Sequence, residues 1–213
     1  MRPSVFIVGG DMTIARMFMD NNWKVTDSID EADLIQFTGG EDVSPMLYGD
    51  VKHSSTYCSP VRDQIESDIF FSHLYTPKAG ICRGGQFLNV MSGGGMFQHV
   101  DNHGIAGTHN AYYFEDSRDK RSVQVTSTHH QMMRPDLFSD FEVFMIAELS
   151  TSKEDGMGTD WVKHVSEEDT EGVMYFDTNS LCFQPHPEYV DPYHECQQLY
   201  FEVLERFFGL EVK

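Results

Sequence analysis

A chain of 213 residues with 34 acidic against 15 basic side chains carries a formal net charge of −19 and has the size of one α/β unit. That balance argues against phosphate-backbone binding and against docking on an anionic membrane, so neither nucleic acid nor membrane is an expected partner. Hydrophobic residues make up 40% of the chain, enough for a sizeable core, and no repeat, low-complexity tract or linker divides residues 1–213, which read as one domain.

The first half alternates strand and helix. Residues 4–8 form a short apolar run closed by Gly9-Gly10, and Asp11 suits the cap of a helix reaching about Asn21, with Ile14, Met17 and Phe18 on one face. Residues 23–26 and 34–37 read as strands, the second running into Gly39-Gly40. Ser59 and Pro60 start a helix in which Ile65, Ile69 and Leu74 fall near helical spacing. Residues 79–82 form a further strand, and residues 86–91 open the helix behind it, ended by Ser92-Gly93-Gly94-Gly95.

Beyond residue 110 the pattern is richer in strand, with candidates at 111–114, 122–126 and 142–147. The polar, acidic stretch 150–170 reads as a loop, in which Trp161 either packs over the loop or lines an entrance. Residues 173–176 and 181–184 suggest a hairpin. Asp191 and Pro192 start a last helix with a Leu199, Val203, Phe207 stripe, ended by Gly209. The pattern predicts an α/β fold in three layers: a mostly parallel sheet flanked by helices, with a small antiparallel strand-rich section.

The chemistry concentrates in two places. Gly80-Ile81-Cys82-Arg83-Gly84 follows an apolar run and suits a sharp strand-to-helix turn, which leaves the central side chain exposed as in a Gly-x-Ser-x-Gly elbow. A thiol there begins a helix, whose N-terminus favours a thiolate. A nucleophile needs a base, and the base an orienting acceptor; His186 and Glu188 of His186-Pro187-Glu188 supply both if the fold brings them to Cys82. Gly39-Gly40 and Cys82 both fall just after predicted strands, where ligands of open α/β sheets bind. Read alone, Gly39-Gly40 is more readily an ordinary strand-end turn.

Four stretches, in order, resemble the class I glutamine amidotransferase superfamily, and within it the γ-glutamyl hydrolase branch, which also cleaves γ-glutamyl-aminobutyrate. They are Thr38-Gly39-Gly40-Glu41-Asp42-Val43-Ser44-Pro45 with Tyr48-Gly49, the segment GICRGGQFLN from Gly80, Ser127-Thr128-His129-His130-Gln131, and Gln184-Pro185-His186-Pro187-Glu188. The resemblance implies a flavodoxin-like fold and a cysteine hydrolase of γ-glutamyl amides that works through a γ-glutamyl thioester. It further implies oxyanion donors from the Arg83 backbone N–H and from Gly39 or Gly40. Arg83 and Gln86 become candidates for holding the glutamate moiety, with the Arg83 side chain alternatively structural. Glu41 and Asp42 either hold the substrate α-amino group or cap the next turn. His130 and Gln131 either contact substrate or pack a loop. Two departures stand out: Pro185 replaces the branch's aromatic before the histidine, and residues 148–170 lack its Asp-Gly-x-x-Glu pattern, of which Glu171-Gly172-Val173 is a candidate remnant.

No cofactor and no metal is expected. His99, His103, His109, His129 and His130 cluster in sequence, but Gly104 and Gly107 interrupt any helical face and no zinc spacing emerges. Cys58, Cys82, Cys182 and Cys196 are widely spaced, which suggests no disulfide framework, and the opening residues lack a signal-peptide core; a reducing cytosol is the expected compartment. Three readings follow: a free-standing γ-glutamyl amide hydrolase, a glutaminase subunit that passes ammonia to a separate synthetase partner, and a non-catalytic module on the same fold. The intact Cys82, His186 and Glu188 argue against the third.

Overall fold

The structure, a computed structural model, describes residues 2–104, 107–115, 119–135, 138–149, 153–157, 160–164 and 168–210, with backbone alone for 154–157 and 160–164. In chain order the elements are β1 (Ser4–Ile7), α1 (Met12–Asp20), β2 (Lys24–Val25), β3 (Leu34–Phe37), α2 (Pro60–Ser72), β4 (Lys78–Ile81), α3 (Arg83–Met91), β5 (Gly95–Phe97), β6 (His99–Val100), β7 (Thr108–Phe114), β8 (Lys120–Thr126), β9 (Met132–Arg134), β10 (Phe141–Ala147), β11 (Lys153–Met157), β12 (Asp160–His164), β13 (Thr170–Tyr175), β14 (Ser180–Phe183) and α4 (Glu195–Phe208).

The main sheet runs β2-β1-β3-β4-β14-β13-β10-β7-β8. Neighbours from β2 to β14 are parallel, and from β14 onward antiparallel. The hydrophobic pattern explains the division. β3, β4 and β14 are buried along their whole length, as strands covered on both faces must be. β7 and β8 instead bury only alternate residues over much of their length, among them Ala111, Tyr113, Val123 and Val125. One core cluster joins Leu34 to Ile14 and Phe18 of α1 and to Leu199 and Val203 of α4. The other joins Ile35 to Phe70 of α2 and to Phe87 and Leu88 of α3. Leu34 and Ile35 thus serve opposite faces, and the sheet lies between two helical layers.

Three sequence expectations are corrected. The buried side of α2 is Asp63, Glu66, Ser67 and Phe70, while Ile65 is 55% exposed, because the helix faces the buried guanidinium of Arg83 as well as the apolar cluster that Phe70 joins. The last helix begins at Glu195: Asp191 Oδ1 accepts the Tyr193 N–H in a turn of its own, and His194 caps the helix through Nδ1, which accepts from Cys196 N. Within 150–170, β11 pairs antiparallel with both β12 and β6. The Trp161 side chain lies outside the described residues. No described helix is long and apolar enough to cross a membrane.

Candidate active site

Three neighbouring strands end together. Phe37 of β3 pairs with Gly80 of β4, and Ile81 of β4 with Phe183 of β14. Gly39-Gly40, Cys82 and His186 therefore leave the sheet at the same edge. Cys82 N donates to Phe183 O at 2.8 Å and so fixes the end of β4. The next bond already turns the chain: Cys82 has φ 51° and ψ −114° and stands as the N-cap of α3. A non-glycine residue held there stores strain, a common sign of a functional position. The surrounding glycines make this elbow possible by close backbone approach. A Cβ on Gly80 would lie 2.2 Å from Gly84 C, and one on Gly84 would lie 2.5 Å from Phe37 O. Arg83 N is the first amide of α3, so it has no partner within the helix.

His186 Nδ1 lies 2.6 Å from Glu188 Oε1, with both side chains largely buried. The His186 N–H donates to Thr126 Oγ1 at 2.6 Å, so the end of β8 anchors the segment. Burial pulls the imidazole down, but hydrogen bonds to Cys82 and Glu188 outweigh it and raise His186 to about 10. Glu188 Oε1 thus holds Nδ1, and the Cys82 thiol, at the end of the neighbouring strand, adds to the charge that favours the protonated ring. Glu188 Oε2 is buried without a hydrogen-bond partner. The outer face of the ring stacks on Tyr189, centroid to centroid 4.4 Å with 4° between planes. Below it, a Cβ on Gly39 would come within 2.9 Å of His186 Cε1. Gly40 has φ 132°, open to glycine and rarely to other residues. A cavity of about 430 Å³ lined by Val8, Asp11, Thr38, Arg62 and their neighbours borders this loop. A larger one of about 750 Å³, around Arg134 and Phe138, contains none of the candidate catalytic residues.

The remaining predicted residues divide. The Arg83 guanidinium turns away from the site and is buried between Asp63 and Glu66, with Phe87 under it at 5.1 Å. Its guanidinium is taken up by these two carboxylates, which fits the structural alternative for this side chain rather than a hold on a glutamate moiety. Burial and the Arg62 charge lower it to about 10, so it stays charged at neutral pH. Gln86 is likewise engaged: Nε2 donates to Gln184 Oε1 at 3.1 Å and to Gln131 O at 3.3 Å. Gln131 is buried, with Nε2 on Thr56 Oγ1 at 3.0 Å. His130 Nε2 sits 3.1 Å from Asp42 Oδ1, which raises the imidazole against the opposing effect of burial. Asp42 Oδ2 accepts Tyr57 N at 2.8 Å, so Asp42 holds a loop together. Glu41 pairs with Arg62 at 3.1 Å.

Sequence reasoning missed Thr126, because nothing local marks a hydroxyl that anchors a segment 60 residues later. It also passed over Asp63 and Glu66, whose i,i+3 spacing on a helix was the available signal. The histidines are the largest difference. They converge not from one helix but from separate strands and loops: His103, His129 and Glu171 are all buried and present donor atoms within 4.8 Å of one another.

A strained thiol elbow beside a histidine–carboxylate pair, at the edge of this sheet, is the design of the class I glutamine amidotransferase-like proteins. The peptidase C26 family model matches residues 8–151, and the chain belongs to that family. The glutamine amidotransferase-like protein YvdE of Lactococcus lactis subsp. lactis (strain IL1403) is 27% identical over 183 residues, covering 83% of this chain and 74% of that protein. Its homologue from Lactococcus lactis subsp. cremoris is 36% identical over 91 residues, spanning 41% of this chain and about half, 48%, of the relative. Among solved structures, a glutamine amidotransferase from Thermotoga maritima superposes with a TM-score of 0.57 at 14% identity, covering 98% of this chain and 94% of that one. At that identity the likeness concerns the fold.

Proposed function

We propose that the chain hydrolyses γ-glutamyl amide bonds, with Cys82 as nucleophile, His186 as proton carrier and Glu188 as its orienting carboxylate. The observation that carries this reading is the His186–Glu188 pair, 2.6 Å from Nδ1 to Oε1, leaving the sheet at the same edge as the strained Cys82 elbow. Cys82 attacks the γ-carbonyl carbon, and the tetrahedral oxyanion is met by the Arg83 N–H and an N–H of Gly39-Gly40, each such donor worth about 3 kcal/mol. The imidazolium gives its proton to the departing amine or ammonia. Water, deprotonated by the same ring, then cleaves the γ-glutamyl thioester and frees glutamate. Glu188 keeps the ring in the orientation and tautomer both steps need.

The test is glutamate release by the purified chain from glutamine and a panel of small γ-glutamyl amides, beside Cys82→Ala. Release that the variant lacks supports the reading, and the preferred amide defines the leaving group. A second reading is a glutaminase that hands ammonia to a separate synthetase, as the amidotransferase names of its relatives imply. Tyr189 favours it: the ring is 63% exposed while stacked on the catalytic imidazole, where a docking partner can press on the site. That reading predicts a folded protein nearly inactive alone, whose Cys82 still reacts with a thiol-directed γ-glutamyl analogue.

A further inference from the structure

We propose that His103, His129 and Glu171 form a binding site for a divalent transition-metal ion, Zn²⁺ best suited, separate from the Cys82 centre. The three come from the segment after β6, the segment after β8 and strand β13, and all are buried. Their outer hydrogen bonds fix which nitrogen of each ring is bare. His129 Nδ1 donates to Gln131 O at 2.9 Å, which leaves Nε2 directed at Glu171 Oε1, 3.5 Å away. His103 Nε2 donates to Asp169 Oδ2 at 2.8 Å, which leaves Nδ1 3.4 Å from the same oxygen. A ring whose far nitrogen is held by a carbonyl or carboxylate is the usual state of a metal-ligating histidine.

The inner atoms carry the argument. His103 Nδ1, His129 Nε2 and both Glu171 oxygens are buried, and none has a hydrogen-bond partner. The close approaches just given thus lack hydrogen-bond geometry. A fully buried carboxylate is tolerated when a cation faces it. Lys153 is ion-paired with Asp169, the other buried carboxylate here. The competing occupant is a proton on His109, whose Nε2 lies 3.1 Å from Glu171 Oε1. That proton would still leave His103 Nδ1 and His129 Nε2 without partners, whereas one ion satisfies all three ligands. Imidazole nitrogens with one carboxylate suit Zn²⁺ and its neighbours rather than Ca²⁺ or Mg²⁺. His103 and His109 both line a cavity of about 460 Å³, which gives an ion an approach.

Bound there, the ion ties the antiparallel half to the catalytic edge. Glu171 O accepts Gln184 N at 2.8 Å, two residues before His186. The experiment uses the whole chain without a histidine tag: metal content by plasma mass spectrometry, then Zn²⁺ titration of chelator-stripped protein against a chromophoric chelator. The wild type is expected to bind about one equivalent. Cys82→Ala is expected to match it, and Glu171→Gln and His129→Ala to bind at least ~10-fold more weakly. The Co²⁺ form of the wild type should show tetrahedral d–d bands without thiolate charge transfer, which keeps the test independent of variant folding. Absence of binding by the wild type, a thiolate band, or binding lost in Cys82→Ala but kept in Glu171→Gln would each overturn the proposal.

Discussion

Glu188 reaches His186 with one oxygen and leaves the other buried without a hydrogen-bond partner, so its charge is directed at the imidazole. Glu188→Gln keeps the shape but removes that charge and reverses the preferred tautomer, because an amide N–H can then face Nδ1. Glutamate release is expected to fall by about 10²–10⁴-fold with little change in melting temperature. Gly39→Ala tests position rather than charge. Its methyl would stand 2.9 Å from His186 Cε1, and the ring must shift to admit it. A shift of this kind is expected to lower kcat about 10–100-fold while the far-ultraviolet circular dichroism stays that of the wild type.

At the scale of elements, α2 and α3 are joined by charge as much as by apolar contact. Arg83 begins α3 and inserts its guanidinium between Asp63 and Glu66, side by side on α2. Arg83→Met leaves Asp63 buried without a cation and Glu66 with Arg62 alone, and is expected to cost about 3–5 kcal/mol in urea denaturation. Adding Asp63→Asn should recover part of that loss, since Glu66 keeps Arg62 and no unpaired carboxylate then stays buried; a double variant no more stable than the single one would show that packing, not charge, dominates. This pair also explains why α2 misled the sequence reading. Ile65 and Leu74 fit an apolar stripe by spacing, yet the buried face is set by a cation supplied from the next helix, which no local window contains. The elbow was legible for the opposite reason. Its glycines answer to the backbone of their own strand–turn–helix unit and to the strands β3 and β14 on either side of it, and that requirement is written in Gly80, Gly84 and Gly85.

For the whole molecule, legibility followed range of contact. β1, α1, β3 and β4 were readable because each carries a local signal, a short buried run in the strands and an apolar stripe behind a capping aspartate in α1. β5, β6 and β9 were missed because they are two or three residues long and exist through partners far along the chain. The histidine cluster was missed likewise: its members come from separate segments, and the buried partner Glu171 looked only like a motif remnant. The His186–Glu188 pair also feeds into global stability. His186 is raised from its ordinary 6.5 to about 10, burial opposing and the Cys82 and Glu188 hydrogen bonds prevailing. The sign follows: the folded state holds that proton more tightly than the unfolded one. The contribution is therefore complete below about pH 6.5 and lost as pH rises toward 10. The melting-temperature advantage of wild type over His186→Gln is expected to shrink steadily across that window.

The most direct measurement is covalent trapping. The purified chain would be treated with a γ-glutamyl diazoketone and digested, and the modified peptide sequenced by mass spectrometry. One adduct per chain on Cys82, absent from His186→Ala under the same exposure and slowed by excess γ-glutamyl amide, is the predicted result. Modification spread over Cys58 and other thiols, or a Cys82 that reacts equally fast in His186→Ala and in the presence of substrate, would contradict a catalytic thiol at the elbow.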